Sequence, residues 1–242
     1  MGVRCRVLAA ATVAAVALLT AGCSVSFAYG VSGSGGRVIA VGAENQYADV
    51  ISQVGGTYVQ ASAIMSNPNT DPHTFEASAS VGRLISGAQL VVQNGLGYDG
   101  FMNTIEGAVP SSSRKLIVVQ NLLGLPDSTP NPHLWYRPGT MPAVANAIAA
   151  DLAAIQPAHA AYFKANAAAF DRSLAAWTSA IAAFKSNYPS TPVATTEPVA
   201  DYLLQAIGAD NLTPWAFQAD IMNGTDPSAQ GVRLRAPMAC SR

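Results

Sequence analysis

Charged side chains are scarce in this sequence. Lys and Arg number 13 and Asp and Glu 14 among 242 residues, so that 11% of the chain is charged and the formal net charge is −1. No basic stripe is present that could follow a phosphate backbone, which argues against a nucleic-acid partner. Half of the residues are hydrophobic, which is enough to bury a core in one or two domains. This composition excludes a disordered tail and a disulfide-stapled miniprotein.

Cysteine is also scarce, and two common motifs of hydrolases are absent. The three cysteines are Cys5, Cys23 and Cys240, and their placement predicts no intramolecular disulfide. The sequence has no His-Glu-x-x-His motif, which counts against a zinc-dependent hydrolase, although such an enzyme remains an alternative. A Gly-x-Ser-x-Gly elbow is also missing, which counts against a serine hydrolase.

The amino terminus has the pattern of a signal peptide. Arg4 and Arg6 precede an uncharged apolar run over 7–19, which is shorter than the ~20 residues that a membrane-spanning helix needs. The run leads into Leu-Thr-Ala-Gly-Cys, ending at Cys23, which resembles the lipobox of bacterial lipoproteins. We therefore expect a signal peptide over 1–22, a lipid on Cys23 and a Gly- and Ser-rich tether over 23–36. The alternative is a secreted protein cleaved near Ala28.

Short β-like runs alternate with helical patterns in the rest of the chain. This alternation predicts an α/β fold in which helices flank parallel-type sheets. Alanine is dense between Ala143 and Phe184, with a break at Pro157, which predicts two helices. The second is expected to be one long rigid helix with an apolar stripe that repeats every three or four residues. The stripe comprises Phe170, Leu174, Trp177, Ile181 and Phe184.

The pattern also predicts a division into two lobes. We expect an N-terminal lobe over 37–157, a linking helix over 158–188, a C-terminal lobe over 189–228 and an atypical tail over 229–242. A new strand begins at Pro192 and a new helix at about Val199, which marks the start of the second lobe.

Two of the three histidines occur in nearly the same setting. His73 lies in Asp-Pro-His-Thr-Phe-Glu and His133 in Asn-Pro-His-Leu-Trp-Tyr. The proline stiffens each loop, and a rigid ligand loses less entropy when it binds an ion. Glu197 lies beside Pro198 at the start of the second lobe and is the candidate third ligand. The alternative for each residue is an ordinary surface side chain, and His159 is best interpreted in that way.

Taken together, the lipobox, the two Pro-His motifs, the long helix and the segment Thr-Glu-Pro-Val-Ala-Asp-Tyr resemble the zinc- and manganese-binding solute-binding lipoproteins of ABC importers. The resemblance covers 37–228. It implies a bilobed protein that holds one zinc or manganese ion in its cleft, with His73, His133 and Glu197 as ligands. It also implies a monomer anchored by Cys23 to the outer face of the cell membrane, with permease and ATPase subunits as partners. A surface adhesin or scaffold lipoprotein is the alternative from another class.

The sequence departs from the family pattern after residue 228. Members supply a fourth, acidic ligand about 75 to 80 positions after the third, beyond the last residue here. Residues 229–242 lack a periodic apolar pattern. We therefore expect an incomplete second lobe, of frameshifted or truncated origin, and a weakened metal site. The absence of a His-rich loop does not decide between zinc and manganese.

Overall fold

The computed structural model describes residues 36–67, 70 and 75–228. The signal segment, Cys23, His73, most of the tether and the tail over 229–242 lie outside the described residues. Within this part of the chain, no helix is both long enough and apolar enough to span a membrane.

A four-stranded parallel sheet organises the first part of the chain. Its strands are β1 (Val38–Glu44), β2 (Val59–Met65), β3 (Leu90–Gln93) and β4 (Lys115–Val118). They lie in the order β2-β1-β3-β4, and the register pairs Ala40 with both Ala61 and Leu90. Each strand is a short run between turn residues and helical patterns, as the alternation in the sequence predicts.

Helices cover both faces of this sheet. One face packs against α1 (Asn45–Gly55), α5 (Thr140–Ile155) and α6 (Ala160–Ser173), and the other against α2 (Ala79–Gly87) and α3 (Phe101–Ala108). The short α4 (Val119–Leu122) follows β4. Single 3-10 turns occupy Gly56–Tyr58, Leu134–Tyr136 and Pro157–His159. The predicted α/β class is therefore confirmed.

The long helix expected after Pro157 is present but interrupted. It consists of α6 and α7 (Ala175–Asn187), which are separated at Leu174. The Ser173 hydroxyl donates to the Phe170 carbonyl at 2.6 Å, the acceptor that the Leu174 N–H would use in an α-helix. That N–H bonds instead to Asp171 at 3.2 Å, in the tighter 3-10 pattern. A single uninterrupted helix was therefore the wrong expectation.

The predicted apolar stripe is the least exposed face of α7. Its members Leu174, Trp177, Ile181 and Phe184 are half-buried, whereas the residues between them are exposed. None of the α7 side chains is fully buried. The stripe therefore lies on a shallow surface, in contrast to Phe163 and Phe170 of α6, which are buried in the core.

The last part of the chain forms a smaller parallel pair. Strands β5 (Pro192–Val193) and β6 (Asp210–Asn211) flank α8 (Asp201–Ile207), and α9 (Trp215–Met222) follows. Strand β5 begins at Pro192, as predicted, and is two residues long. Its ladder ends because the Thr195 N–H donates to the hydroxyl of Thr213 at 3.0 Å instead of to a strand carbonyl.

Candidate metal site

His133 is a buried side chain with a defined orientation. The residue is 5% exposed and precedes the 3-10 turn Leu134–Tyr136. Its ring meets Tyr98 and Trp135 nearly at right angles, with centroid distances of 5.6 and 5.5 Å. These two aromatic rings form one wall beside the imidazole, which restricts its rotation.

The neighbouring Asn131 holds both the ring and the backbone of His133. Its Oδ1 accepts the His133 backbone N–H at 3.0 Å and lies 2.8 Å from the His133 Nδ1. Because an amide oxygen only accepts, Nδ1 carries the proton in this pair. In the neutral ring, Nε2 is then the basic nitrogen, the form that binds metal ions.

A second asparagine attaches this loop to the sheet. Asn94 directly follows β3, and its Nδ2 donates to the carbonyl of Pro132 at 2.9 Å. The Tyr47 hydroxyl of α1 donates to the Asn94 Oδ1 at 2.6 Å. The His133 loop therefore lies at the carboxyl edge of the parallel strands, where α/β proteins bind their ligands.

Two buried carboxyl groups lie at the same edge. Glu44 ends β1 and is 3% exposed, and neither of its carboxyl oxygens has a hydrogen-bond partner among the described residues. Burial raises the pKa of Glu44 well above its ordinary value, and the charge of the nearby Asp99 raises it further. Burial also raises the pKa of Asp99, although the backbone N–H groups of Gly95 and Asn94 oppose this shift. Burial therefore favours the protonated form of Glu44 over the carboxylate.

The loop of Glu197 lies next to the loop of His133. The Glu197 side chain is exposed, whereas the next residue, Pro198, is buried. The Pro198 carbonyl accepts a hydrogen bond of 2.8 Å from Asn131 Nδ2. The loop that carries Glu197 is thus attached to the loop that carries His133.

The described residues do not bring a full ligand set together. Within the ranges 36–67, 70 and 75–228, no three His, Cys, Asp or Glu side chains are clustered so that they could hold a metal ion. His73 is outside these ranges, so the expected trio of His73, His133 and Glu197 stays a prediction. His159, which the sequence analysis set aside, stacks on Tyr58 with a centroid distance of 3.7 Å.

Sequence reasoning missed several residues of this site, namely Glu44, Tyr47, Asn94, Asp99 and Asn131. A polar side chain directly after a buried strand was a usable signal for Asn94, and Asn131 was part of the quoted Asn-Pro-His motif. No sequence signal marks the partner of Asn131, because Pro198 is 67 residues away.

Comparison with known proteins agrees with this architecture. Residues 41–234 match the family described as zinc-uptake complex component A, periplasmic (ZnuA). The chain belongs to this family. The ZnuA family consists of substrate-binding proteins of ABC transporters and is not an enzyme family, so the comparisons do not favour the hydrolase or adhesin alternatives.

One relative of the ZnuA-family chain is the manganese-binding lipoprotein MntA of Bacillus subtilis. The two are 26% identical over 126 residues, which cover 50% of this chain and 41% of MntA. The chain therefore matches less than half the length of this relative.

Solved structures show the same fold. The periplasmic zinc-binding protein TroA of Treponema pallidum superposes with a TM-score of 0.65 at 19% identity, over 81% of this chain and 72% of TroA. The solute-binding protein FpvC of P. aeruginosa, in complex with Ni²⁺, superposes with a TM-score of 0.64 at 24% identity, over 81% and 72% of the two chains. Zn(II)-bound AdcA of Streptococcus pneumoniae superposes with a TM-score of 0.64 at 21% identity, over 74% of this chain and 39% of AdcA.

Proposed function

We propose that this protein is the extracytoplasmic solute-binding component of an ABC importer and that its cargo is a divalent zinc or manganese ion. The proposal rests above all on His133. This side chain is buried at the carboxyl edge of the sheet, with Nδ1 bonded to Asn131 and Nε2 as the basic nitrogen. Membership of the ZnuA family supports the same assignment.

The proposed ligands are His73, His133 and Glu197. Two imidazoles and a carboxylate suit both zinc and manganese, and the general order of affinities favours zinc when both ions are present. The hydrogen bond from Asn131 to Pro198 supports the assignment of Glu197, because it keeps the Glu197 loop next to the His133 loop.

The proposed organisation follows from this site. Residues 37–157 are the N-terminal lobe, residues 158–188 the helical connection and residues 189–228 part of the C-terminal lobe. Cys23 carries the lipid that holds the protein at the outer face of the membrane, where it delivers the ion to a permease that works with an ATPase subunit. The MntA relative is itself a lipoprotein, which supports the anchor.

Competition titration tests the metal site. The full chain is purified in detergent and titrated with Zn²⁺ and with Mn²⁺ against a chromophoric chelator. We expect one ion to bind per chain, and we expect His133→Ala to weaken zinc binding at least tenfold, because one ligand and its basic nitrogen are lost.

His159→Ala is the matched control, because His159 stacks on Tyr58 outside the proposed ligand set. It should bind zinc like the unaltered chain. Equal affinities of the unaltered chain and His133→Ala would contradict the proposal, and so would a loss of binding in His159→Ala alone.

A further inference from the structure

Asn131 joins the candidate metal ligand to the opposite loop through every polar group of its side chain. It is 6% exposed. Its Oδ1 accepts from the backbone N–H and from Nδ1 of His133, at 3.0 and 2.8 Å. Its Nδ2 donates to the Pro198 carbonyl at 2.8 Å. Its backbone carbonyl accepts the Tyr202 hydroxyl of α8, also at 2.8 Å.

We propose that Asn131 is a positioning residue that sets the tautomer of His133 and couples metal binding to the contact between the two loops. This inference rests on the proposed function, because it assigns the residue that orients one of its ligands. It adds a role for a side chain that does not itself contact the ion.

The partners of the amide determine its orientation. A reversed amide would place its NH₂ group against the His133 backbone N–H, so that two donors would face each other. It would also place its oxygen against the Pro198 carbonyl, so that two acceptors would face each other. Only the observed orientation satisfies all three groups. The side chain therefore selects the Nδ1–H tautomer of His133.

The same amide cannot release one partner without disturbing the other. A side chain has one χ1 and one χ2 angle, and both are set when Oδ1 faces His133 and Nδ2 faces Pro198. Movement of the Pro198 loop therefore also displaces the Asn131 Oδ1, the atom that orients the His133 ring. The Pro198 carbonyl also accepts the Asp201 N–H at 3.1 Å, so the start of α8 takes part in the same network.

Two substitutions separate the two roles of Asn131. Asn131→Asp keeps an oxygen that accepts from His133 but cannot donate to the Pro198 carbonyl. Asn131→Ala removes both bonds. Asn146→Ala is the matched control, because Asn146 is an exposed helical asparagine whose side chain bonds to Pro142 and Asp171.

The first measurement needs no metal. Long-range ¹H–¹⁵N correlation spectra of the full chain labelled at histidine report the tautomer of His133, and the spectrum of His133→Ala assigns its signals. We expect the Nδ1–H form in the unaltered chain and in Asn131→Asp. In Asn131→Ala we expect a mixture of both tautomers, the usual state of a histidine without such a partner.

The second measurement is zinc affinity together with amide exchange. We expect Asn131→Ala to weaken zinc binding about tenfold or more, as loss of an orienting partner commonly does. Asn131→Asp should weaken it about fivefold, which corresponds to one neutral hydrogen bond. In both variants the Asp201 amide should exchange faster than in the unaltered chain.

Several results would overturn the inference. The inference is contradicted if His133 of the Asn131→Ala variant keeps the Nδ1–H tautomer and the variant binds zinc within twofold of the affinity of the unaltered chain. An effect on the melting temperature alone would also overturn it, because that indicates a merely structural role. If the unaltered chain binds neither zinc nor manganese, the proposed function fails, and the tautomer and exchange measurements alone decide whether Asn131 positions His133.

Discussion

Two regions of the molecule are held together by different interactions. The N-terminal region, described residues 36–173, contains every buried apolar side chain among the described residues except Pro198, and its sheet is covered on both faces. In the C-terminal region, residues 174–228, the buried side chains are Pro198, Thr213 and Gln218. Apolar burial is the larger source of stability, so the two regions differ in how firmly they are folded.

Polar side chains take the place of a core in the C-terminal region. Gln218 donates to the Thr195 hydroxyl and to the Asp201 carboxylate, at 2.8 and 3.1 Å. Asn211 donates to the same two acceptors, each at 3.0 Å. Thr195 is two residues before Glu197, so this network also supports the candidate ligand loop. Hydrogen bonds contribute less net stability than apolar burial but define geometry more strictly.

The largest expected effect comes from truncation of the apolar core. Leu90 of β3 is 0% exposed, and Leu90→Ala should lower the free energy of unfolding by about 4 kcal/mol, because it leaves a cavity between packed layers. Leu204→Ala in α8 is the matched variant in the C-terminal region. Leu204 is half-buried, so we expect a loss of about 1 kcal/mol. Urea unfolding measures both, and equal losses would contradict the proposed difference between the regions.

Substitution of Gly42 in β1 tests how closely the N-terminal region is packed. A Cβ on Gly42 would lie 2.5 Å from the Ala48 nitrogen and 2.8 Å from the Glu44 carbonyl oxygen. Gly42→Ala should therefore cost about 2 kcal/mol, because backbone must move to admit the methyl group.

Gly107 in α3 is the control for that substitution, because a Cβ there has no atom within 4 Å. Gly107→Ala should leave the free energy of unfolding unchanged or raise it by about 0.5 kcal/mol, since alanine favours a helix. Thermal unfolding of the pair measures the contrast. A stabilised Gly42→Ala variant would show that β1 and α1 have room to separate.

The polar network should give a smaller loss. Gln218→Ala leaves Thr195 and Asp201 without one donor each, and we expect about 1.5 kcal/mol of destabilisation. Hydrogen exchange should be faster for the amides of residues 195–213 and unchanged in β1 and β3. Uniform acceleration across both sheets would show instead that the two regions unfold as one unit.

The pH dependence of stability should originate mainly in the N-terminal region. Glu44 has an ordinary pKa near 4.5 that burial raises in the folded chain, so the folded state keeps a proton that the unfolded state releases. Stability is therefore lost as the pH rises from about the ordinary pKa through the folded pKa.

Glu44→Gln removes this proton linkage. The variant should be more stable than the unaltered chain at pH 7 and should show a flatter dependence of stability on pH above about 5. Asp226→Asn, at an exposed position of the C-terminal region, is the control and should leave the profile unchanged. Parallel pH profiles for Glu44→Gln and the unaltered chain would contradict the assignment.

Local patterns predicted most of the N-terminal region. Its strands are apolar runs bounded by turn residues, and α1 and α5 bury one face of a regular repeat. The helix α3 was not predicted, because a short helix with Gly107 near its end has a weak pattern. Strand β6, whose two residues are polar, was not predicted either. Pairing between such short strands depends on tertiary contacts that a local pattern does not record.

The candidate site was predictable only in part. The Pro-His pattern identified His133, and the proline beside Glu197 identified that loop. The link between them depends on Asn131 and Pro198, which are brought together by folding and not by sequence proximity. The interruption at Leu174 was not predicted either, because the apolar repeat continues regularly across it.

That interruption also changes the mechanical character of the connecting element. Phe163, Ala167 and Phe170 fix α6 in the core, whereas α7 has no buried side chain. In mechanical terms, the connection α6–α7 is held most firmly over α6, and its interruption at Leu174 lies just beyond that part. A load on α7 would bend the connection at Leu174 before it disturbed the sheet to which the His133 loop is attached.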